Sequence, residues 1–167
     1  MTRKSLKHLN CGWAQAAEAI GDKWSIMILR DAFIGVKTFS AFADSLSISR
    51  NILTQRLDHL IDHDVLGKRP IGIGSARHEY YLTEKGNALL PIMMALYQWS
   101  DEWVFGKGNE PYVVIDRDSR EPIDRIIISS GGKRDLTMAD LTIVAGEGAN
   151  ENNQCVVEAI AQQDHLS

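Results

Sequence analysis

At Leu66 the spacing of apolar residues changes from helical to extended, and this change constrains the fold more than any other feature. Before it, Leu53, Leu57, Leu60 and Ile61 mark a 3.6-residue stripe on a helix that begins at Arg50, with Ser49 as its natural N-cap. After it, residues 66–71 and 78–82 are short and extended in pattern, His78-Glu-Tyr-Tyr-Leu82 being rich in β-formers. Gly72-Ile-Gly-Ser75 between them is turn chemistry, so the two strands form a hairpin. Upstream, Phe39, Phe42, Ala43 and Leu46 line a short helix that Thr38 or Ser40 can cap. Ser47-Ile-Ser49 joins it tightly to the longer helix.

The flanks complete the picture. Trp13, Ala16, Ala17 and Ile20 share one face of a first helix. Gly21-Asp22 interrupts, and Asp22 caps a second helix carrying Trp24, Ile28 and Leu29 that ends near Gly35. Thr83 caps a long helix that is apolar on more than one face, from Leu89 to Trp103, which Pro91 should kink or split. From Gly106 the character changes. Residues 112–115, 125–129 and 142–145 read as short strands, with turns at 118–122 and 130–133. Residues 146–153 are polar, and 154–163 suit a short helix. The expected architecture is α+β: a mainly helical winged helix-turn-helix domain over residues 1–106 with a β-hairpin wing. A small C-terminal β-rich extension follows over 107–150, and a tail with a short helix over 151–167.

Helix, short helix, tight turn, longer helix and hairpin is an order suited to duplex DNA. The face of the longer helix opposite its leucines presents Asn51 and Gln55, with Asp58 and Asp62 further along and Thr54 and His59 at the edges. Asn and Gln suit adenine, Arg suits guanine, and a Thr methyl can touch thymine. Amide, hydroxyl and arginine at the start and carboxylates beyond it fit a helix whose N-terminal end enters the major groove. Lys68, Arg69 and Arg77 flank the hairpin turn and can follow a phosphate backbone. Lys37 and Ser40 lie where the preceding helix would cross that backbone.

The net charge of −4 argues against nucleic acid only while the chain is taken whole. Residues 1–106 hold 12 Lys+Arg against 11 Asp+Glu, whereas 107–167 hold 6 against 11. The acidity belongs to the C-terminal part, which is not expected to touch DNA. Apolar residues at 44% and charged residues at 24% are ordinary for a globular chain. No run reaches the roughly 18 apolar residues of a membrane span, and the basic N-terminus leads to Asn10-Cys-Gly12 rather than an apolar stretch. A cytoplasmic protein without membrane contact is expected.

The segments Cys11-Gly, Ile20-Gly-Asp-Lys-Trp-Ser25, Phe39-Ser40, Ile48-Ser-Arg-Asn-Ile-Leu-Thr-Gln-Arg-Leu57, Glu79-Tyr-Tyr-Leu-Thr-Glu-Lys-Gly86 and Trp99 together resemble the HxlR-type family of bacterial transcription regulators, compact relatives of the MarR regulators. The resemblance spans about residues 9–105 and is specific as a combination. It implies a homodimer reading a pseudo-palindromic operator, with Arg50, Asn51, Thr54, Gln55 and Arg56, behind the Ser49 cap, at or near the DNA. Family dimers use the first helix and the helix after the wing. That use would engage Trp13, Met93, Leu96, Tyr97 and Trp103, and would account for apolar surface that one protomer cannot bury. The family usually carries Cys-Pro where this chain has Cys11-Gly12.

That cysteine is a redox or electrophile sensor in some members. Here Cys11 reads either as such a sensor, favoured by Lys7 and His8, or as a small buried side chain near the dimer interface; the other cysteine, Cys155, is far away in sequence. His59 and His63 stand four apart on a helix without a third ligand at a diagnostic spacing, so a solvated face accounts for them better than a metal. No nucleophile motif, phosphate-cradling loop or cofactor fingerprint is present, and neither catalysis nor a cofactor is expected. The competing class is a protein-interaction or effector-sensing module that kept the winged-helix shape without DNA binding. A small-molecule or redox effector is left unidentified.

Overall fold

The computed structural model describes residues 5–72, 77–131 and 135–164. The chain order is α1 (Gly12–Ile20), α2 (Lys23–Phe33), α3 (Phe39–Leu46), α4 (Arg50–Asp62), β1 (Leu66–Pro70), β2 (His78–Leu82), α5 (Glu84–Asn87), α6 (Leu90–Ser100) and α7 (Glu151–Asp164). A π turn at Asp101–Phe105 extends α6, and a 3-10 turn lies at Met138–Asp140. The molecule packs as two units. One is residues 19–126, and the other joins the residues up to 18 with those from 127 on.

Local chemistry sets the helix starts in the larger unit. Asp22 accepts from the Trp24 and Ser25 amides, Thr38 from Ala41, Ser49 from Ile52 and Thr83 from Gly86. Each satisfies a donor that a helix leaves unpaired at its first turn. Gly35 follows α2 with φ +96°, a conformation glycine adopts without a Cβ clash. Pro91 sits in the first turn of α6, where its missing N–H costs nothing, and the helix that Thr83 caps is split just ahead of it into α5 and α6.

The core holds Ile28, Leu29, Phe42, Leu53, Leu57, Leu60, Val65, Leu66, Tyr80 and Met93. These residues come from α2, α3, α4, the hairpin and α6, so burial of their apolar surface joins those elements. Phe42 meets Tyr80 edge-on, with ring centroids 6.1 Å apart. The strands pair antiparallel in the register Leu66↔Leu82, Lys68↔Tyr80, Arg69↔Glu79. The approach to α3 adds a short third edge: Thr38 bridges Glu79, and the Tyr80 amide donates to the Lys37 carbonyl at 2.7 Å. The hairpin tip, residues 73–76, lies outside the described residues, as do residues 132–134 of the expected later turn.

A Thr-Glu-Lys-Gly turn fastens the hairpin to the end of α4. The Thr83 hydroxyl donates to the Asp64 carbonyl at 2.6 Å and accepts from the Gly86 amide at 3.0 Å. Lys85 Nζ donates to the His63 carbonyl at 2.7 Å. A Cβ on Gly86 would stand 2.1 Å from the Val65 carbonyl oxygen, so the close approach admits only glycine.

The region after Gly106 departs from expectation. Instead of three strands, the described residues show isolated bridges, Ile115↔Pro122 and Ser129↔Asp135. Residues 112–126 pack with the larger unit, and α6 side chains supply part of the hydrogen bonding that a neighbouring strand would give. The Gln98 amide donates to the Asp124 carbonyl and accepts from the Ile126 amide, at 2.9 and 2.8 Å. The Tyr97 hydroxyl donates to the Tyr112 carbonyl at 2.5 Å. Burial, Asp101 and Glu110 push that hydroxyl up to about 12 against the backbone at Val114.

In the second unit, Asn10 Nδ2 donates to Asn153 Oδ1 and to the Gly148 carbonyl, at 2.7 and 2.9 Å, and Asn153 Nδ2 returns a bond to the Asn10 carbonyl. The expected final helix is α7. No helix among the described residues is long and apolar enough to cross a membrane.

Candidate nucleic-acid interface

The starts of α3 and α4 and the hairpin surround one concavity of about 510 Å³. Phe39 and Tyr80 form its apolar wall, and Ser40, Arg50, Lys68, Arg77 and His78 its polar one. The Arg50 guanidinium lies 4.8 Å from the centre of the Phe39 ring, and Lys68 Nζ lies 5.8 Å from that of Tyr80. Each ring face steadies the cation above it. Among the described residues no carboxylate lines the cavity, and the first turns of α3 and α4 carry no acid. The positive dipole ends of both helices therefore carry no acid of their own beside the groove, which suits the site to an anion. Burial and, after it, the Asp58 carboxylate push the Tyr80 hydroxyl above its usual range.

Asn51, Thr54 and Gln55 are exposed on α4 beside this groove, on the face turned away from Leu53, Leu57 and Leu60. The Thr54 hydroxyl donates to the Arg50 carbonyl at 2.9 Å, which leaves its methyl and lone pairs outward. Ser49 is occupied as the cap of α4. Lys37 is exposed where the chain enters α3.

Two expected contact residues are engaged elsewhere. Arg69 Nε donates to Glu79 Oε1 at 2.6 Å across the hairpin, and its guanidinium lies 5.2 Å from the Tyr81 ring centre. Glu79, one position beyond His78, is the register partner of Arg69. Arg56 turns towards the start of α2, where its Nε lies 3.5 Å from Asp22 Oδ1. The groove's aromatic wall depends on tertiary contacts, although the Lys68↔Tyr80 pairing of the hairpin already supplies half of it.

The histidine pair is not a solvated face. Both rings are half-buried and lie 4.3 Å apart. His59 Nε2 bonds the Ala19 carbonyl at 3.1 Å and His63 Nδ1 the His59 carbonyl at 2.9 Å, so each of those nitrogens carries the proton. No cluster of three or more metal-ligating side chains occurs among the described residues.

Of the residues expected at a dimer contact, Met93 is 7% exposed and belongs to the core. Leu96, Trp103 and Trp13 are exposed, and Tyr97 is half-buried against Tyr112. Cys11 is exposed in the single chain, one residue before α1.

A helical core that carries a helix-turn-helix and an antiparallel hairpin wing defines this protein as a winged helix-turn-helix. A model of the HxlR-like helix-turn-helix family matches residues 19–107. Rv3095 of Mycobacterium tuberculosis, an uncharacterized HTH-type transcriptional regulator, is 32% identical over 134 residues, covering 80% of this chain and 85% of the relative. YvaP of Bacillus subtilis, of the same description, is 30% identical over 96 residues, covering 54% and 84%. Among solved structures, PA1607, assigned as a transcription factor, aligns with a TM-score of 0.79 at 34% identity over 86% of this chain and 100% of that one. PA1374 from Pseudomonas aeruginosa, assigned likewise, gives 0.62 at 29% over 87% and 99%. The chain belongs to the HxlR-like helix-turn-helix family, and its relatives are transcriptional regulators.

Proposed function

We propose that this protein is a sequence-specific double-stranded DNA-binding transcription regulator that acts as a homodimer. The observation that carries the reading is the acid-free groove of Ser40, Arg50, Lys68 and Arg77 beside the exposed Asn51, Thr54 and Gln55. The start of α4 enters the major groove, where Asn51 and Gln55 read base edges. Lys68 and Arg77 follow phosphates on the flanking backbone, and Ser40 and Lys37 meet the strand that α3 crosses. Two copies place two such helices one turn of duplex apart on a pseudo-palindromic operator.

A gel shift with the promoter region of the protein's own gene, run across a salt series, tests this. Affinity should fall steeply with salt as counterions are released. Asn51→Ala or Gln55→Ala should cost about 1–3 kcal/mol on the preferred sequence and relax the preference. Lys68→Ala or Arg77→Ala should weaken all sequences alike and lower the salt slope by about 1. Absence of any shift at low salt would sink the reading in favour of a protein-interaction module.

A further inference from the structure

We infer that Arg56 and His59 are positioning residues that set the rotation of α4 about its axis, by clamping it to the elbow between α1 and α2. The inference rests on α4 being the DNA-reading helix, as proposed above. Arg56 Nε lies 3.5 Å from Asp22 Oδ1, and His59 Nε2 bonds the Ala19 carbonyl at 3.1 Å. The two residues are three apart, so they stand on one side of α4, and both reach the four-residue stretch from Ala19 to Asp22. That side is neither the leucine face that enters the core nor the face of Asn51 and Gln55.

The geometry explains why a clamp off the leucine face matters. Burial of the leucines is non-directional, whereas a hydrogen bond or ion pair fixes an angle as well as a distance. A side-chain tip about 5–6 Å from a helix axis moves roughly 1 Å for each 10° of rotation. A bidentate contact to a base does not survive that shift, because hydrogen bonds weaken steeply with distance and angle. A lysine or arginine on a phosphate follows it easily. The clamp therefore acts on discrimination between sequences and leaves overall attraction to DNA alone.

The elbow end of the clamp is itself rigid. Asp22 Oδ1 takes the Trp24 and Ser25 amides at 3.0 and 3.2 Å, and Oδ2 takes the Ser25 hydroxyl at 2.5 Å. The carboxylate thus caps α2 with the same oxygen that faces Arg56. Arg56 Nε is buried and makes no hydrogen bond, so Asp22 supplies the opposite charge that its burial needs.

The test uses Asp22→Asn, Arg56→Gln, His59→Ala and His59→Gln in the full chain. Asparagine still caps α2, so Asp22→Asn removes the charge and keeps the cap. Glutamine at 59 still carries an amide donor for the Ala19 carbonyl. The probes are a duplex selected by the wild-type protein from a randomised pool and a scrambled duplex of equal length and composition. Asp22→Asn, Arg56→Gln and His59→Ala should each bind the selected duplex about tenfold more weakly, and the scrambled duplex and the salt slope should not change. The Asp22→Asn, Arg56→Gln double variant should be no worse than either single one, and His59→Gln should restore discrimination. Equal losses on both duplexes, or a smaller salt slope for Arg56→Gln, would overturn the inference, since Arg56 would then be a stability residue or a phosphate contact. A DNA-free measurement keeps its failure separate from that of the function. The Arg56 Nε–H resonance should move in Asp22→Asn, and a resonance that does not respond overturns the clamp whatever the DNA result.

Discussion

Gly86 shows how a single missing Cβ couples two distant parts of the chain. Its backbone lies against the Val65 carbonyl where a methyl would have to sit 2.1 Å from the oxygen. Gly86→Ala should therefore destabilise the fold by about 1–3 kcal/mol, read as a lower denaturant midpoint; an unchanged midpoint would mean that the turn can relax. Asp22 carries a second residue-scale expectation. Burial opposes its charge, but the Ser25 hydroxyl and amide, Arg56 and the Trp24 amide outweigh burial and hold the carboxyl below its ordinary value of 3.8. A depressed folded value means that the unfolded chain takes up the proton first as acid is added. The stabilisation is thus present above 3.8 and is lost as pH falls through the lower folded value. The stability gap between wild type and Asp22→Asn should be flat near neutrality and close below about pH 4. A gap that persists into stronger acid would contradict the assignment.

At the scale of elements, helix starts were legible because each is governed by one side chain and the next three amides. Asp22, Thr38, Ser49 and Thr83 all cap where the sequence placed a cap. Ser49→Ala should cost about 1 kcal/mol and fray the first turn of α4, seen as faster amide exchange at Ile52. An unchanged exchange rate there would show that packing holds the turn without its cap. The strands after Gly106 were not legible. Residues 112–115 and 125–129 have β-forming composition, but composition cannot tell whether a neighbouring strand or a helix side chain will accept the backbone bonds. Gln98 and Tyr97 do so here. The hairpin lies between these cases. Its existence was readable, but the Arg69–Glu79 pair follows from register, which the turn sets.

For the molecule as a whole, the remaining apolar surface of α6 bears on assembly. Leu96, Trp99 and Trp103 are 44%, 59% and 68% exposed, each three or four residues from the next, so they form one face. A face of that kind on a folded chain marks an interaction surface. Under the homodimer proposed above, Leu96→Glu with Trp103→Glu should shift sedimentation from dimer to monomer and weaken operator binding, because each half-site would then bind alone. A wild-type protein that sediments as a monomer at working concentrations would remove the dimer from the proposal.

The sequence by itself determined the helix limits, the hairpin, the winged-helix order and the exposure of Asn51, Thr54 and Gln55, because these depend on periodicity and on groups a few residues apart. Only the tertiary structure decided which cations face the groove. Lys68, Arg69, Arg56 and Arg50 all carry a positive charge, yet Glu79 engages one of them and Asp22 another, while the rings of Phe39 and Tyr80 support Arg50 and Lys68 in the groove. The reason is electrostatic and short-ranged. A charge is directed by whatever stands within a few ångströms of it, and those neighbours come from chain segments that only folding brings together.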